Sequence, residues 1–337
     1  MKKIAIMFLL LFSCCFMTGC FGSKKSDIAS DFKKTVDKSK AYHLTGELEI
    51  VNNEESYLYA VEASYKDDDY FRVSLKNKTN NHEQIILKNE TGVYVLTPSL
   101  NKSFKFQSEW PYNNSQSYLL QTLVKDMDSD NNKTVDVSEN DIIVTTKVNY
   151  SNNKKLVNQK IYFDKKGNLK KVEVLNKDGV AKIKMTFSDI DYKASYDKDY
   201  FSLDANLNTN TSTEKTLNEI DNVIYPMYMP DNTYLTSEDV VELDDGERII
   251  LTFSGDSPFM IVQETVSVDD TITTIPVYGE LEWTGDTIGT MTDNTVSWIS
   301  NGIEYYAVSE VLSSSELLTL IYTNIELFLR CIIDSSE

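Results

Sequence analysis

From Tyr42 onward the chain repeats with a period of two. Tyr42, Leu44, Leu48 and Ile50 alternate with polar residues, as do Tyr57, Tyr59, Val61, Ala63 and Tyr65, and then Phe71, Val73 and Leu75. Val93 and Val95, followed by Phe104 and Phe106, continue the series. Successive side chains of a strand point to opposite faces, so apolar residues at every second position predict strands with one buried face. Consecutive runs of this kind, separated by short polar turns, predict an antiparallel sheet. Whatever else the chain does, it must cover the apolar face of that sheet.

Two helices are predicted to do so. Ile28, Phe32 and Val36 recur at four-residue spacing, and Leu119, Leu120, Leu123, Val124 and Met127 form an amphipathic pattern within Ser117–Met127. Strands resume at Ile142–Val148, Ile161–Phe163, Leu169–Leu175 and Ala181–Phe187, with Asp164 to Gly167 and Asn176 to Gly179 as turns. Residues 206–220 are polar and unpatterned and are read as a linker. Beyond it, strands are expected at Arg248–Phe253, Phe259–Val266, Thr287–Met291, Thr295–Ile299 and Ile303–Val308, with a hairpin turn at Asn301-Gly302. A closing helix starts at Ser313, which forms a capping box with Glu316, and carries Leu317, Leu320, Ile321, Ile325, Phe328 and Ile332 on one face.

The N-terminus supplies an address. Lys2 and Lys3 precede an apolar run from Ile4 to Met17, too short to span a membrane and of the length of a signal-peptide core. The ending Met17-Thr18-Gly19-Cys20 resembles the bacterial lipobox. That resemblance implies cleavage before Cys20, diacylglyceryl attachment to its thiol and retention on the outer face of the cytoplasmic membrane. In an endospore former, that is the forespore or mother-cell membrane facing the intermembrane space. Two acyl chains anchor stably where one does not. Of the 4 cysteines only Cys331 would then remain free, which excludes an internal disulfide. The expected organisation is a signal peptide (1–19), a tether (20–26), a first domain (27–205), the linker (206–220) and a small second α+β domain (221–337).

Charge divides at the linker. The formal net charge is −19, yet residues 20–205 hold 28 basic and 28 acidic side chains, whereas residues 206–337 hold 3 and 24. So acidic a second half excludes nucleic acid as its partner and predicts a basic face on any protein it meets, with association weakening as salt rises.

The order of helix, long strands, inserted helix and further strands resembles the LolA/RseB superfamily. Glu109-Trp110-Pro111-Tyr112-Asn113-Asn114-Ser115-Gln116, Lys160-Ile161-Tyr162-Phe163-Asp164-Lys165 and Met185-Thr186-Phe187 are similar to a clostridial branch of germination lipoproteins. Trp298, Gly302, Tyr305 and the helix start at Leu312–Leu317 resemble the small domain that follows such folds. The resemblance implies an α+β fold: a curved antiparallel half-barrel with helices on its concave face, then a smaller antiparallel sheet with a C-terminal helix. It also implies a non-enzymatic protein that either regulates a protein partner, as in sporulation and germination, or carries or senses lipid or lipopeptide. For the carrier, Tyr57, Tyr59, Val61, Phe71, Val73, Val93, Val95, Phe104, Phe106, Leu120 and Leu123 are the candidate lining of an apolar cavity. The same stripes also read as the core of a large sheet, and the two readings can hold for different positions.

Motifs for other chemistry fail on particular residues. Asp128, Asp130, Asn132, Thr134, Asp136 and Glu139 have the spacing of a calcium loop, but Lys133 stands where the sharp turn needs glycine and a strand follows where a helix should. Gly255-Asp256-Ser257-Pro258 lacks the second glycine of a nucleophile elbow, which is Phe259. The 12 glycines form no phosphate-cradling loop, and His43 and His82 are read as surface or sheet residues. The expectation is therefore no cofactor, no metal and no catalytic residue. Calorimetric titration with millimolar calcium is expected to give no binding heat.

Overall fold

A computed structural model describes residues 28–52, 55–67, 69–150, 153–207, 219–266, 273–284 and 286–322. The signal peptide, Cys20 and the end of the expected closing-helix stripe (Ile325, Phe328 and Ile332) lie outside these residues. Helix α1 (Ile28–Lys38) leads into six strands: β1 (Ala41–Asn52), β2 (Glu55–Lys66), β3 (Tyr70–Asn77), β4 (Glu83–Asn89), β5 (Gly92–Thr97) and β6 (Lys102–Phe106). Helix α2 (Leu120–Ser129) follows, then β7 (Thr134–Val137), β8 (Asp141–Lys147), β9 (Leu156–Asp164), β10 (Leu169–Asn176), β11 (Ala181–Asp191) and the short α3 (Leu203–Leu207). The remainder comprises β12 (Thr233–Leu243), β13 (Gly246–Gly255), β14 (Phe259–Thr265), β15 (Thr273–Val277), β16 (Glu280–Thr284), β17 (Thr287–Met291), β18 (Thr295–Ser300), β19 (Ile303–Ser309) and α4 (Ser314–Tyr322).

These strands form two sheets. The first has 12 strands in the order β15-β6-β5-β4-β3-β2-β1-β11-β10-β9-β8-β7; the second has 7, in the order β12-β13-β14-β19-β18-β17-β16. Strands β1 and β2 pair over their whole length, Ala41 opposite Lys66 and Asn52 opposite Glu55, and β11 closes on the other side of β1. The α+β class is as expected, with two departures. β4 has no period-two pattern because both its faces are covered: Ile86 lies in the main core, while Ile85 and Leu87 join Tyr94, Leu96, Phe201 and Leu207 in a second cluster on the opposite face. And the large sheet is not wholly antiparallel, since β15, from beyond the expected linker, adds to the edge of β6 in parallel.

One face of the large sheet carries α1 and α2. Phe32 meets Phe163 edge-on at 5.3 Å, and Leu120 and Leu123 are fully buried. A ten-residue helix is marginal alone in water. Burying side chains of this size at ~2 kcal/mol each is what holds α2 in place. Lys33 of α1 forms an ion pair with Asp128 of α2. The second sheet packs Ile249, Leu251, Phe253, Ile261, Val296, Trp298 and Ala307 against α4 through Leu317, Leu320 and Ile321. The capping box forms reciprocally: Glu316 N–H donates to Ser313 Oγ (3.3 Å), and Glu316 Oε2 accepts from Ser313 N–H at 2.8 Å. Asn301 (φ 52°) and Gly302 (φ 77°) make the expected turn of left-handed residues between β18 and β19.

The calcium-like segment is spent on structure. Thr134–Val137 is the edge strand β7, and Asp130 Oδ2 accepts from Lys147 N–H at 2.9 Å, which holds its carboxyl below the usual range. The Gly255 to Pro258 segment is the β13–β14 turn; a Cβ on Gly255 would lie 1.9 Å from the carbonyl oxygen of Asn232.

Asp126 of α2 is buried, and desolvation raises its pKa to about 6 even though its Oδ2 accepts from Gln159 Nε2 at 2.8 Å. Its folded value lies above its unfolded one, so stability falls as pH rises from about 4 to about 6, and the whole cost is present at neutral pH. Asp126→Asn is expected to stabilise the protein by ~2 kcal/mol near pH 7.5 and by little near pH 4, measured by urea unfolding at both. An equal effect at the two pH values would contradict this origin.

Candidate functional site

The concave face of the large sheet is where the candidate lining residues meet. Tyr59, Val61, Phe71, Val73, Val93, Val95, Phe106, Leu120 and Leu123 are all buried in one cluster, with Tyr57 and Phe104 half-buried against it. Trp110, Tyr118 and Leu119 belong to the same cluster. They do not surround an open cavity. Leu281 of β16 and Ile288 of β17 are members of this cluster, and Trp283 packs on it with its ring 5.1 Å from that of Tyr59. The hairpin of the smaller sheet thus enters the larger sheet's apolar face. Between Leu48, Ile86, Trp110, Tyr118, Tyr150, Ile183, Leu281, Trp283 and Ile288 only about 30 Å³ is left, room for one or two waters.

Polar groups fix the insertion. Gln84 of β4 is buried and held by β17 through three bonds: its Oε1 accepts from Ile288 N–H (2.7 Å) and Thr287 Oγ1 (2.8 Å), and its Nε2 donates to the Ile288 carbonyl (3.0 Å). The Tyr59 hydroxyl donates to the Asp286 carbonyl at 2.8 Å, and burial pushes its pKa far above the usual phenol value, so it stays a donor. Glu280 Oε2 accepts from Ser108 Oγ at 2.9 Å and from Asn113 Nδ2. The Ser103 and Thr274 hydroxyls pair at 2.6 Å beside the β6–β15 ladder.

Two larger depressions open at the margins of this cluster. One of about 290 Å³ sits at the junction of the two sheets, among Ile50, Leu156, Ile183, Trp283, Met291 and Leu318. The other, about 660 Å³, opens between α1 and the β9–β10 turn, lined by Ile28, Phe32, Ile142 and Leu169 of the same cluster and by Asp31, Lys165, Lys166 and Asp189. Sequence reading missed Gln84, Leu281 and Trp283. Leu281 and Trp283 do alternate with Glu280 and Glu282, a signal that marks a strand but not the face it will cover. Among the described residues no group of three or more His, Cys, Asp or Glu side chains is placed to hold a metal, and no helix is long and apolar enough to cross a membrane.

A 12-stranded sheet with two helices on one face and a 7-stranded sheet closed by a helix make up the described fold, of the α+β class the sequence predicts. No protein-family model matches the chain. It is 33% identical over 328 residues to the sporulation protein YdcC of Bacillus subtilis (strain 168), covering 95% of this chain and 97% of that one. The chain belongs to the YdcC family. Among solved structures it is similar to the complex of Pseudomonas aeruginosa MucA and MucB (13% identity, 87% of this chain and 97% of that one, TM-score 0.31). It is also similar to the complex of the CwlD amidase from Clostridioides difficile with the GerS lipoprotein (20% identity, 53% of this chain and 100% of that one, TM-score 0.31).

Gln84→Ala would leave the Ile288 N–H and the Thr287 hydroxyl buried without partners. It is expected to cost about 3 kcal/mol. Both sheets should still unfold in one transition, read by chemical denaturation followed by tryptophan fluorescence and far-UV circular dichroism. Two separated transitions in the unsubstituted protein would show that the insertion does not couple them.

Proposed function

We propose that this chain is a lipid-anchored, non-enzymatic lipoprotein on the outer face of the cytoplasmic membrane. Its role is to bind and regulate an envelope or spore-cortex protein partner during sporulation. The observation that carries this reading is the filled concave face. A carrier of lipid or lipopeptide needs an enclosed apolar volume of roughly 300–1,000 Å³. Here Leu281, Trp283 and Ile288 of the same chain cover the middle of that face and leave about 30 Å³ there, while the depressions of about 290 and 660 Å³ at its margins are open to solvent and bear Lys182, Glu282, Lys165 and Asp189 rather than a wholly apolar lining. With the concave face filled, recognition falls to the outer surfaces, which is how a protein is met. The relative's description as a sporulation protein supports the timing, and the order of basic residues, apolar run, small residues and Cys20 supports the anchor. The expected plan, with the linker at 206–220 and a small acidic domain after it, remains part of this proposal.

The test is made in sporulating cells that produce the full chain. Cys20→Ala is expected to abolish incorporation of an alkyne-tagged fatty acid and to move the chain from the membrane to the soluble fraction. Unchanged labelling would remove the anchor. Cross-linking in sporulating membranes is expected to trap a defined protein with the chain; failure to trap any protein, in growing or sporulating cells, would count against the partner-binding role.

A further inference from the structure

The two sheets have four edges, and three are short. β7 has only four residues. β15 has five and carries Pro276, which has no N–H to offer a ladder. β16 has five, and its Leu281 is buried in the first core. The fourth, β12, runs for 11 residues and pairs only with β13. Its outer side has no partner strand among the described residues, so its backbone amides and carbonyls there form a template for another strand. Its side chains are bare as well: Tyr234 is 62% exposed and Val240 56%, with Leu235 and Val241 also exposed. Natural proteins shorten, cover or break such an edge; this one has a register shift between Leu235 and Ser237, and beyond it Ser237–Leu243 runs unbroken with exposed apolar and acidic side chains.

The charges on the strand select what can pair with it. In register with β13, Glu238 lies opposite Leu251, Val240 opposite Ile249 and Glu242 opposite Glu247, so Glu238, Val240 and Glu242 share one face. Asp239 lies on the other face, opposite Ile250. Asp244 and Asp245 form the hairpin tip. Arg248 is the one basic residue among the described residues after 219, and its Nε is held by Glu264 Oε2 at 2.6 Å. The hydroxyl of Tyr225 donates to Glu238 Oε2 at 2.9 Å and steadies one carboxylate of the row. A second copy of this chain, laid antiparallel along β12 about Val240, would set Glu238 of each copy against Glu242 of the other, and like charges across a ladder destabilise it.

We propose that β12 receives an extended, basic segment of a protein partner as an added antiparallel strand. Lysine or arginine side chains of that segment lie opposite Glu238 and Glu242, with an apolar residue between them opposite Val240. This site rests on the partner-binding reading above and names the partner's chemistry: a lysine- or arginine-bearing β-strand, held by its backbone and chosen by its charge.

The test uses the full chain in detergent micelles and three fluorescent peptides. These are acetyl-TKTVTKT-amide, its glutamate counterpart acetyl-TETVTET-amide, and the lysine peptide N-methylated on alternate residues in either phase. The lysine peptide is expected to bind and to weaken about tenfold between low and half-molar salt. The glutamate peptide, and the lysine peptide methylated in one of the two phases, should bind at least about tenfold more weakly. The double substitution Glu238→Gln with Glu242→Gln, both at exposed positions, should weaken the lysine peptide about fivefold with an unchanged circular dichroism spectrum and melting temperature.

Equal binding of both methylated peptides would reduce the contact to diffuse charge attraction and overturn the added strand. So would indifference to the double substitution, a chain that sediments as a dimer dispersed by Val240→Lys, or no binding at all, as when a segment of this chain outside the described residues already covers the edge. Cross-linking separates the two claims. A partner trapped equally by the double variant and the unsubstituted chain leaves the partner-binding role standing and removes this site. Peptide binding at the edge with no partner trapped does the reverse.

Discussion

The structure turns on three apolar side chains that one sheet lends to another. Leu281, Trp283 and Ile288 belong by chain connectivity to the small sheet and by packing to the core of the large one. Removing them would uncover the face formed by Tyr59, Ile86 and Trp110, and the side chain of Gln84 would lose the backbone that holds it. Apolar burial supplies the drive and is indifferent to direction; the glutamine, the tyrosine hydroxyl and Glu280 supply the register. Without both, the two sheets would be neighbours on a string; with both, they share one interior.

Much of this fold is legible in the chain, and the limits of legibility have physical causes. Strands with one wet face announce themselves by alternation, as β1, β2 and β3 do, and helices with one buried stripe do so by their spacing, as α1 does through Ile28, Phe32 and Val36. β4 is silent because the segment containing Phe201 and Leu207 covers its other face, erasing the polar half of the pattern. β12 is silent for the opposite reason: nearly all of it is exposed, so nothing selects which residues are apolar. Alternation places the candidate lining residues on one face, but whether such a face encloses a hollow or a plug depends on residues some 200 positions away, as the 204-residue separation of Gln84 and Ile288 shows. Alternation says which side of a strand is buried and cannot say what buries it.

Charge has a comparable division of labour. The first unit balances its charges and spends many of them locally, as in Lys33 with Asp128, Lys170 with Asp141 and Lys184 with Glu49. Exposed pairs of this kind contribute little each. The second unit leaves its carboxylates largely without cationic neighbours, which costs self-repulsion and is tolerable because its core is closed by α4 and by the sheet it joins. A surface that repels its own kind remains open to a complementary one.

The parallel strand at the far edge of the large sheet has a consequence for how the molecule is made. Ser103 and Thr274 touch across 171 residues of sequence, and the hairpin that fills the concave face comes later still. A chain emerging N-terminus first must therefore expose an unfilled apolar trough and an unpaired β6 until its last third arrives, because closing so long a loop precedes any reward for it. The trough that looks like a ligand site in the finished protein is, during synthesis, a vacancy reserved for a later part of the same chain. The first unit is in that sense a receptor whose ligand is delivered by the same polypeptide.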